Sequence, residues 1–164
     1  MKVLELPGVE VFGGWEYMQE YLKEMGDPLF SIKGDLNLSY VSVKSLDNLV
    51  SVSGDLNLYE KQIKSLNNLT YVGGYLDLSK SKIKSLDNLV SVGGNLNFSF
   101  SEIESVENLE RVGGDLRLKL SNIKSIGNLK YIGGNLILFW TPLSKTTTEE
   151  EIRNQIEVGG KIYL

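Results

Sequence analysis

A phrase of twenty residues repeats along most of this chain and leaves few folds open to it. One copy, residues 72–91, reads VGGYLDLSKSKIKSLDNLVS. One glycine of each copy recurs every twenty residues without a slip, at Gly34, Gly54, Gly74, Gly94, Gly114 and Gly134, with a displaced seventh at Gly160. A fixed period of this length is typical of a solenoid, in which each copy forms one coil that stacks on its neighbour.

The apolar residues of one copy indicate how a coil is built. They stand at Leu76, Leu78, Ile83, Leu86, Leu89 and Val92. Leu76 and Leu78 alternate as in a β-strand, whereas the next three recur every three residues, which suits a tight extended or 3₁₀-like return. The sequence therefore predicts an α/β repeat solenoid: one short parallel strand and a compact return per coil, one parallel β-sheet, and short helical caps at both ends.

Residues 1–164 read as a single domain with three parts. Residues 1–31 form an amino-terminal cap, since apolar and aromatic residues at helical spacing predict a helix over about 14–25 that Gly26 and Pro28 end. Residues 32–143 are the repeats. Residues 144–164 hold a second helix, opened by a capping box of Thr148 and Glu151, and a last strand phrase at 161–164. Caps are expected because the end of a solenoid exposes its core.

Two polar positions recur with the glycines in five copies, and both predict structural roles. They are Ser45, Ser65, Ser85, Ser105 and Ser125, and Asn48, Asn68, Asn88, Asn108 and Asn128. An active site needs one such residue rather than five. We expect each asparagine to bond backbone groups that the tight return leaves unpaired. The repeated glycine indicates either a positive φ or close packing before the strand.

These apolar positions resemble a known family. In the copy that begins at Leu56, they are Leu56, Leu58, Ile63, Leu66, Leu69 and Val72, and they look like the short twenty-residue leucine-rich repeats of bacterial effector proteins. The resemblance extends over about 32–143 and, more loosely, to receptor L domains. Two features depart from it: the asparagine usual after the strand is absent, and so are the prolines of the effector repeat. The resemblance implies a leucine-rich-repeat-like solenoid and suggests a bacterial or phage origin.

Composition narrows the partners and the compartment. Seventeen basic against 21 acidic residues give a net charge of −4, which argues against nucleic acid as the main ligand. No apolar run approaches the roughly 20 residues of a membrane span, and the first residues do not read as a signal sequence. We therefore expect a cytoplasmic protein without a membrane partner.

Catalysis finds little support in the residues present. The chain lacks histidine and cysteine, so the usual members of acyl-transfer and zinc sites are missing, and we expect no catalytic residue, metal or cofactor. Asp35 and Asp55 are expected to stack about 5 Å apart on neighbouring strands. Such a pair leaves open an enzyme that uses stacked aspartates, as a less favoured alternative.

The residues that vary between copies mark the predicted binding face. Outward positions in the early copies carry amides and acids, whereas the later copies carry apolar and basic groups. The residues expected to contact a partner are Tyr40, Tyr59, Asp77, Lys80, Phe100, Arg117, Lys119, Leu120, Ile137, Phe139 and Trp140. The last of these either form an exposed apolar patch or are covered by the carboxyl-terminal helix. Exposed patches of this kind favour a protein partner.

The sequence thus favours a non-catalytic solenoid that binds a protein partner through its strand face, with an inhibitor or effector as one use. Aligned Asn, Asp, Tyr and Trp leave a carbohydrate-binding module as the main alternative. The strand phrase at 161–164 also offers an edge through which a second copy can pair as a homodimer.

Overall fold

The chain forms a parallel β-solenoid of about five turns with a spacing of twenty residues, as predicted. This is a computed structural model, and it describes residues 2–164. Met1, the first residue of the predicted amino-terminal cap, lies outside the described residues. In chain order the strands are β1 (Leu4–Leu6), β2 (Phe30–Ile32), β3 (Leu36–Asn37), β4 (Leu49–Val52), β5 (Leu56–Asn57), β6 (Tyr71–Val72), β7 (Leu76–Asp77), β8 (Ser91–Val92), β9 (Leu96–Asn97), β10 (Arg111–Val112), β11 (Leu116–Arg117), β12 (Tyr131–Ile132), β13 (Leu136–Ile137), β14 (Glu157–Val158) and β15 (Ile162–Tyr163).

Each complete coil contributes two strands, so the prediction of one strand per coil and one sheet was wrong. β1 and the even-numbered strands form an eight-stranded parallel sheet, and the odd-numbered strands from β3 to β15 form a seven-stranded one. Most strands are only two residues long, which is too short for an alternating pattern to show in the sequence. Val72 and its equivalents therefore read as the end of the return, although they pair with the next coil as a strand of their own.

The core lies between the two sheets and the return segment. In the coil that begins at Leu76, the side chains of Leu76, Leu78, Ile83 and Leu89 are fully buried, and their equivalents stack above and below them. The return between the two turns contains no helix, and its second turn closes with a bond from the Leu89 N–H to the Leu86 carbonyl at 2.9 Å.

Close packing explains the repeated glycine. At Gly94 a Cβ atom would lie 2.7 Å from the carbonyl carbon of Gly74, the glycine of the preceding coil. Gly34 is the exception, because its φ of +85° puts it in the left-handed region and nothing crowds it. The glycines thus let neighbouring coils approach at the corner that joins the two strands of each coil.

The repeated asparagines bond the backbone of the preceding coil. The amide of Asn88 donates to the carbonyl of Asn67 at 2.8 Å, and Asn48, Asn68 and Asn108 make the equivalent bond. In the part of the chain that is described, Asn128 makes no such bond. The predicted role is therefore found in four of the five copies.

Helices occur at the two ends. Helix α1 spans Trp15–Glu24, within the predicted 14–25, and buries Trp15, Met18 and Leu22 against the first coil. Helix α2 spans Glu149–Gln155 and begins with the predicted capping box, in which the Thr148 N–H donates to Glu151 at 2.8 Å. Neither is long and apolar enough to span a membrane, and the described residues contain no other helix that is.

Candidate binding surface

A tight turn follows each odd-numbered strand from β3 to β13 and presents one side chain to solvent. In residues 98–101 the Ser101 N–H donates to the Phe98 carbonyl at 3.1 Å, and the turns at 118–121 and 138–141 repeat this bond. The third residue of this turn has a positive φ in five coils: 57° at Glu60, 55° at Lys80, 61° at Phe100, 54° at Leu120 and 58° at Trp140. A negative φ followed by a positive one defines a type II turn, whose third position favours glycine or asparagine.

Bulky side chains at this position cost backbone strain. The left-handed region disfavours an L-residue with a Cβ by roughly 1–2 kcal/mol, yet the three later coils place phenylalanine, leucine and tryptophan there. The same φ occurs at Glu60 and Lys80, so the strain belongs to the coil; the later coils differ in placing an apolar side chain there. We refer to Phe100, Leu120 and Trp140 as the apolar ridge. Backbone bonds such as Phe100 N–H to the Lys119 carbonyl, 2.9 Å, confirm that its members lie on adjacent coils.

The apolar ridge is open to solvent. Trp140 is 65% exposed, Phe100 53% and Leu120 43%. Helix α2 instead turns Ile152 into the core, and Ile156 just beyond it is also buried. Of the two arrangements left open by the sequence, an exposed patch or one covered by the closing helix, the structure has the exposed one.

Aromatic and basic groups border the apolar ridge on its strand side. The Phe139 ring lies 5.8 Å from the Trp140 ring and 5.6 Å from that of Tyr163. The Lys119 ammonium lies 4.9 Å from the centre of the Trp140 ring, within the range of a cation–π interaction. Arg117 pairs with Asp115 of its own coil at 3.1 Å. The border is therefore apolar, with Lys119 as its one cation outside the ion pairs found in residues 2–164.

At this border, two coils lack a side-chain hydrogen bond that the earlier coils make. In the earlier coils the side chain that ends the strand accepts an N–H two residues on, as when Asn97 accepts from Ser99 at 3.1 Å. Asn37, Asn57 and Asp77 do the same. Arg117 and Ile137 hold this position next to the apolar ridge, and neither side chain can accept. Departures from a repeated structural pattern are expected at functional sites. The two departures here lie beside the exposed apolar ridge.

The amino-terminal half of the predicted face is different. Tyr40 is 94% exposed, while Lys80 lies against Tyr59, with its ammonium 2.7 Å from the phenol oxygen. That hydrogen bond raises the pKa of Lys80 above its ordinary value. Asp77 uses one oxygen to hold the N–H and the hydroxyl of Ser79. A shallow polar groove of about 370 Å³ lies here, lined by Ser39, Tyr40, Asn57, Tyr59, Glu60, Lys61 and Asp77.

The stacked acids are part of the backbone scaffold. Asp35 accepts the N–H of Asp55 at 2.8 Å, and Asp55 in turn accepts the N–H of Tyr75 at 2.6 Å. Asn95, Asp115 and Asn135 continue this ladder. The N–H bond from Asn135 holds the pKa of Asp115 below its usual value, and Arg117 adds to the effect. In residues 2–164 there is no group of three or more acidic, histidine or cysteine side chains that is arranged to hold a metal ion.

Strand β15 pairs with β13 on one side only within residues 2–164. The carbonyls of Lys161 and Tyr163 accept bonds from β13 and the residue after it. Because backbone groups alternate sides along a strand, the N–H and C=O of Ile162 point away from β13. This is the edge at which the sequence places a homodimer.

Tyr163 belongs to the border of the apolar ridge, although it was not among the predicted residues. It pairs in register with Ile137. The signal was present in the sequence, because aligning Gly160 with Gly134 puts Tyr163 in the column of Ile137. The positive φ values had no such signal, since the turn position carries a different residue in each coil.

Comparisons with protein-family models, with curated proteins and with solved structures give no match for this chain. The class that the fold defines is the parallel β-solenoid.

Proposed function

We propose that this chain is a non-catalytic protein-binding solenoid that recognises a protein partner through the strand face of its carboxyl-terminal coils. The observation that carries the proposal is the apolar ridge: three bulky apolar side chains, exposed to solvent, at a turn position that favours glycine or asparagine. Large aromatic residues beside a cation are the anchors that protein interfaces favour. Of the predicted contact residues, Phe100, Arg117, Lys119, Leu120, Ile137, Phe139 and Trp140 form this surface.

The finer parts of the proposal rest on the repeat pattern. We assign the coils to the short leucine-rich-repeat kind, from a bacterium or a phage, with a cytoplasmic location. A small acidic chain that binds without chemistry suits an inhibitor, which acts by occupying the working surface of another protein. The stacked aspartates support this reading over the enzyme alternative, because Asp35, Asp55 and Asp115 are engaged by backbone N–H groups.

The groove beside Tyr40 favours carbohydrate binding as a second candidate. An exposed ring next to amide and carboxylate groups is a surface on which a sugar can stack and form hydrogen bonds. The second ring, Tyr59, is half-buried, and the Lys80 ammonium lies at its hydroxyl edge, 2.7 Å from the oxygen. The groove therefore offers one open ring, which is less than the ridge offers to a protein.

Affinity capture with matched variants tests the proposal. A double variant, Phe100→Asn with Trp140→Asn, removes two anchors and introduces a residue that the turn favours, so the coil keeps its backbone. Tyr40→Ala is the control on the same face. From a lysate of the source cells, we expect a protein that the parent and Tyr40→Ala retain and the double variant does not. After purification, that protein should bind the double variant at least tenfold more weakly than it binds the parent.

Equal retention by all three chains would contradict the proposal. Loss with Tyr40→Ala alone would move the site to the groove and favour the carbohydrate candidate, which a panel of oligosaccharides would then test directly.

A further inference from the structure

The spacing of the apolar ridge selects the secondary structure of its partner. Neighbouring strands lie about 4.8 Å apart, so Phe100, Leu120 and Trp140 cover about 10 Å along the solenoid axis. An α-helix rises about 10.5 Å over seven residues, and its residues at i, i+3 or i+4, and i+7 share one face. A helix laid along the axis therefore presents one apolar side chain per coil.

An extended segment fits the same spacing poorly. Its same-face residues are about 6.7 Å apart, so three of them cover about 13 Å. The third side chain would then lie nearly a full coil beyond Trp140. The ridge thus matches the period of a helix and not that of a strand.

The charges beside the apolar ridge indicate which charge the partner helix should carry. Lys119 stands on the strand side of the ridge, and no ion pair to it is found within residues 2–164. On the opposite side Glu102 is already paired with Lys82 at 2.8 Å, and the neighbouring Asn122 is neutral. One side of the ridge therefore presents an unneutralised cation on a chain whose net charge is −4. A carboxylate on the partner complements that side.

We propose that the apolar ridge binds one amphipathic α-helix of the partner, aligned with the solenoid axis, with apolar residues at i, i+3 or i+4, and i+7 and acidic residues on the side that faces Lys119. This inference rests on the proposed function, because it describes the occupant of the same surface. The Trp140 ring, with Lys119 over it and Phe139 beside it, is the anchor for the last apolar residue of the helix.

Binding of synthetic peptides to the full-length chain tests this inference. The first is a helix-forming peptide of about 18 residues, long enough for helix to form in water, with leucine at i, i+4 and i+7 and glutamate on one side only. The second carries lysine in place of those glutamates. The third has the composition of the first with a central proline, which interrupts the helix. Titration calorimetry is run against the parent, Lys119→Glu and Trp140→Asn, each checked for cooperative thermal unfolding.

The expected result has three parts. The parent binds the acidic peptide at least tenfold more tightly than either other peptide. Trp140→Asn weakens that binding at least tenfold. Lys119→Glu reverses the charge preference, so that the lysine peptide binds more tightly than the acidic one. A reversal of preference is a readout that general loss of structure does not produce.

Three results would overturn the inference. Equal binding of the proline peptide means that the occupant is extended. If the acidic peptide does not bind, or if Lys119→Glu does not change the charge preference, the partner is not an acidic helix. A dimer of the parent that Trp140→Asn dissociates makes a second copy the occupant. In the first two cases the capture experiment still decides the proposed function separately, because it depends on the ridge and not on the form of the partner.

Discussion

Asp115 accepts the backbone N–H of Asn135, its equivalent in the next coil, on Oδ1 at 2.8 Å. Asn95 accepts the N–H of Asp115 in the same way at 2.7 Å. Aspartate and asparagine therefore do the same work in this ladder, and one can replace the other with little change of geometry. The difference between them is the charge, and with it a dependence on pH.

Asp115→Asn should make the solenoid less sensitive to acid. The pKa of Asp115 is lowered in the folded chain, first by the Asn135 N–H and then by Arg117, so its carboxylate contributes stability above the usual pKa of about 3.9. That contribution is lost as the pH falls through the lowered value. Between about pH 6 and pH 3 the free energy of unfolding should fall more for the parent than for the variant.

Urea unfolding at several pH values measures this difference, since all other carboxylates are common to both chains. Two curves that stay parallel down to pH 3 would show that the ladder bond does not depend on the charge of Asp115.

A matched pair of substitutions isolates the strain in the apolar ridge. Phe100→Asn and Phe100→Ala both delete the ring, but asparagine tolerates the left-handed φ of 61° better than alanine does. We expect the asparagine variant to be the more stable by roughly 1 kcal/mol in urea unfolding. Equal stabilities would mean that the turn imposes no strain on residue 100.

The repeated asparagine contains its own control. Asn88→Ala removes a bond to the Asn67 carbonyl and should lower the free energy of unfolding by about 0.5–1.5 kcal/mol. Asn128→Ala, at a copy whose amide makes no hydrogen bond within residues 2–164, should cost less than about 0.5 kcal/mol. Equal losses of unfolding free energy at both sites would show that the repeated asparagine does not stabilise the fold through this hydrogen bond.

The period of the sequence was sufficient to predict the solenoid and the core of its coils, because the buried side chains of the coils recur at the same positions. Leu76 and Leu78 and their equivalents are buried as the pattern predicts. The second sheet was missed because strands such as Ser91–Val92 are two residues long and carry no pattern of their own. Trp140 was predicted as a contact residue, but its exposure depends on where helix α2 packs, and no local feature of the sequence sets that position.

A second copy is predicted to pair with β15. The N–H and C=O of Ile162 point away from β13, so Ile162→Pro removes an outward donor and leaves the pairing within the chain intact. Light scattering at micromolar concentration should give a dimer for the intact chain and a monomer for the variant. Trp140→Asn should leave that dimer unchanged. A monomer for the intact chain would contradict the pairing.

Photo-crosslinking tests the binding surface most directly. Benzoylphenylalanine is introduced at Phe100 on the apolar ridge or, as a control, at Tyr71, an exposed aromatic position on the other sheet. After irradiation in the source cells, the account predicts a covalent adduct with a second protein species from position 100 and none from position 71. Absence of an adduct at position 100, or the same adducts from both positions, would contradict it.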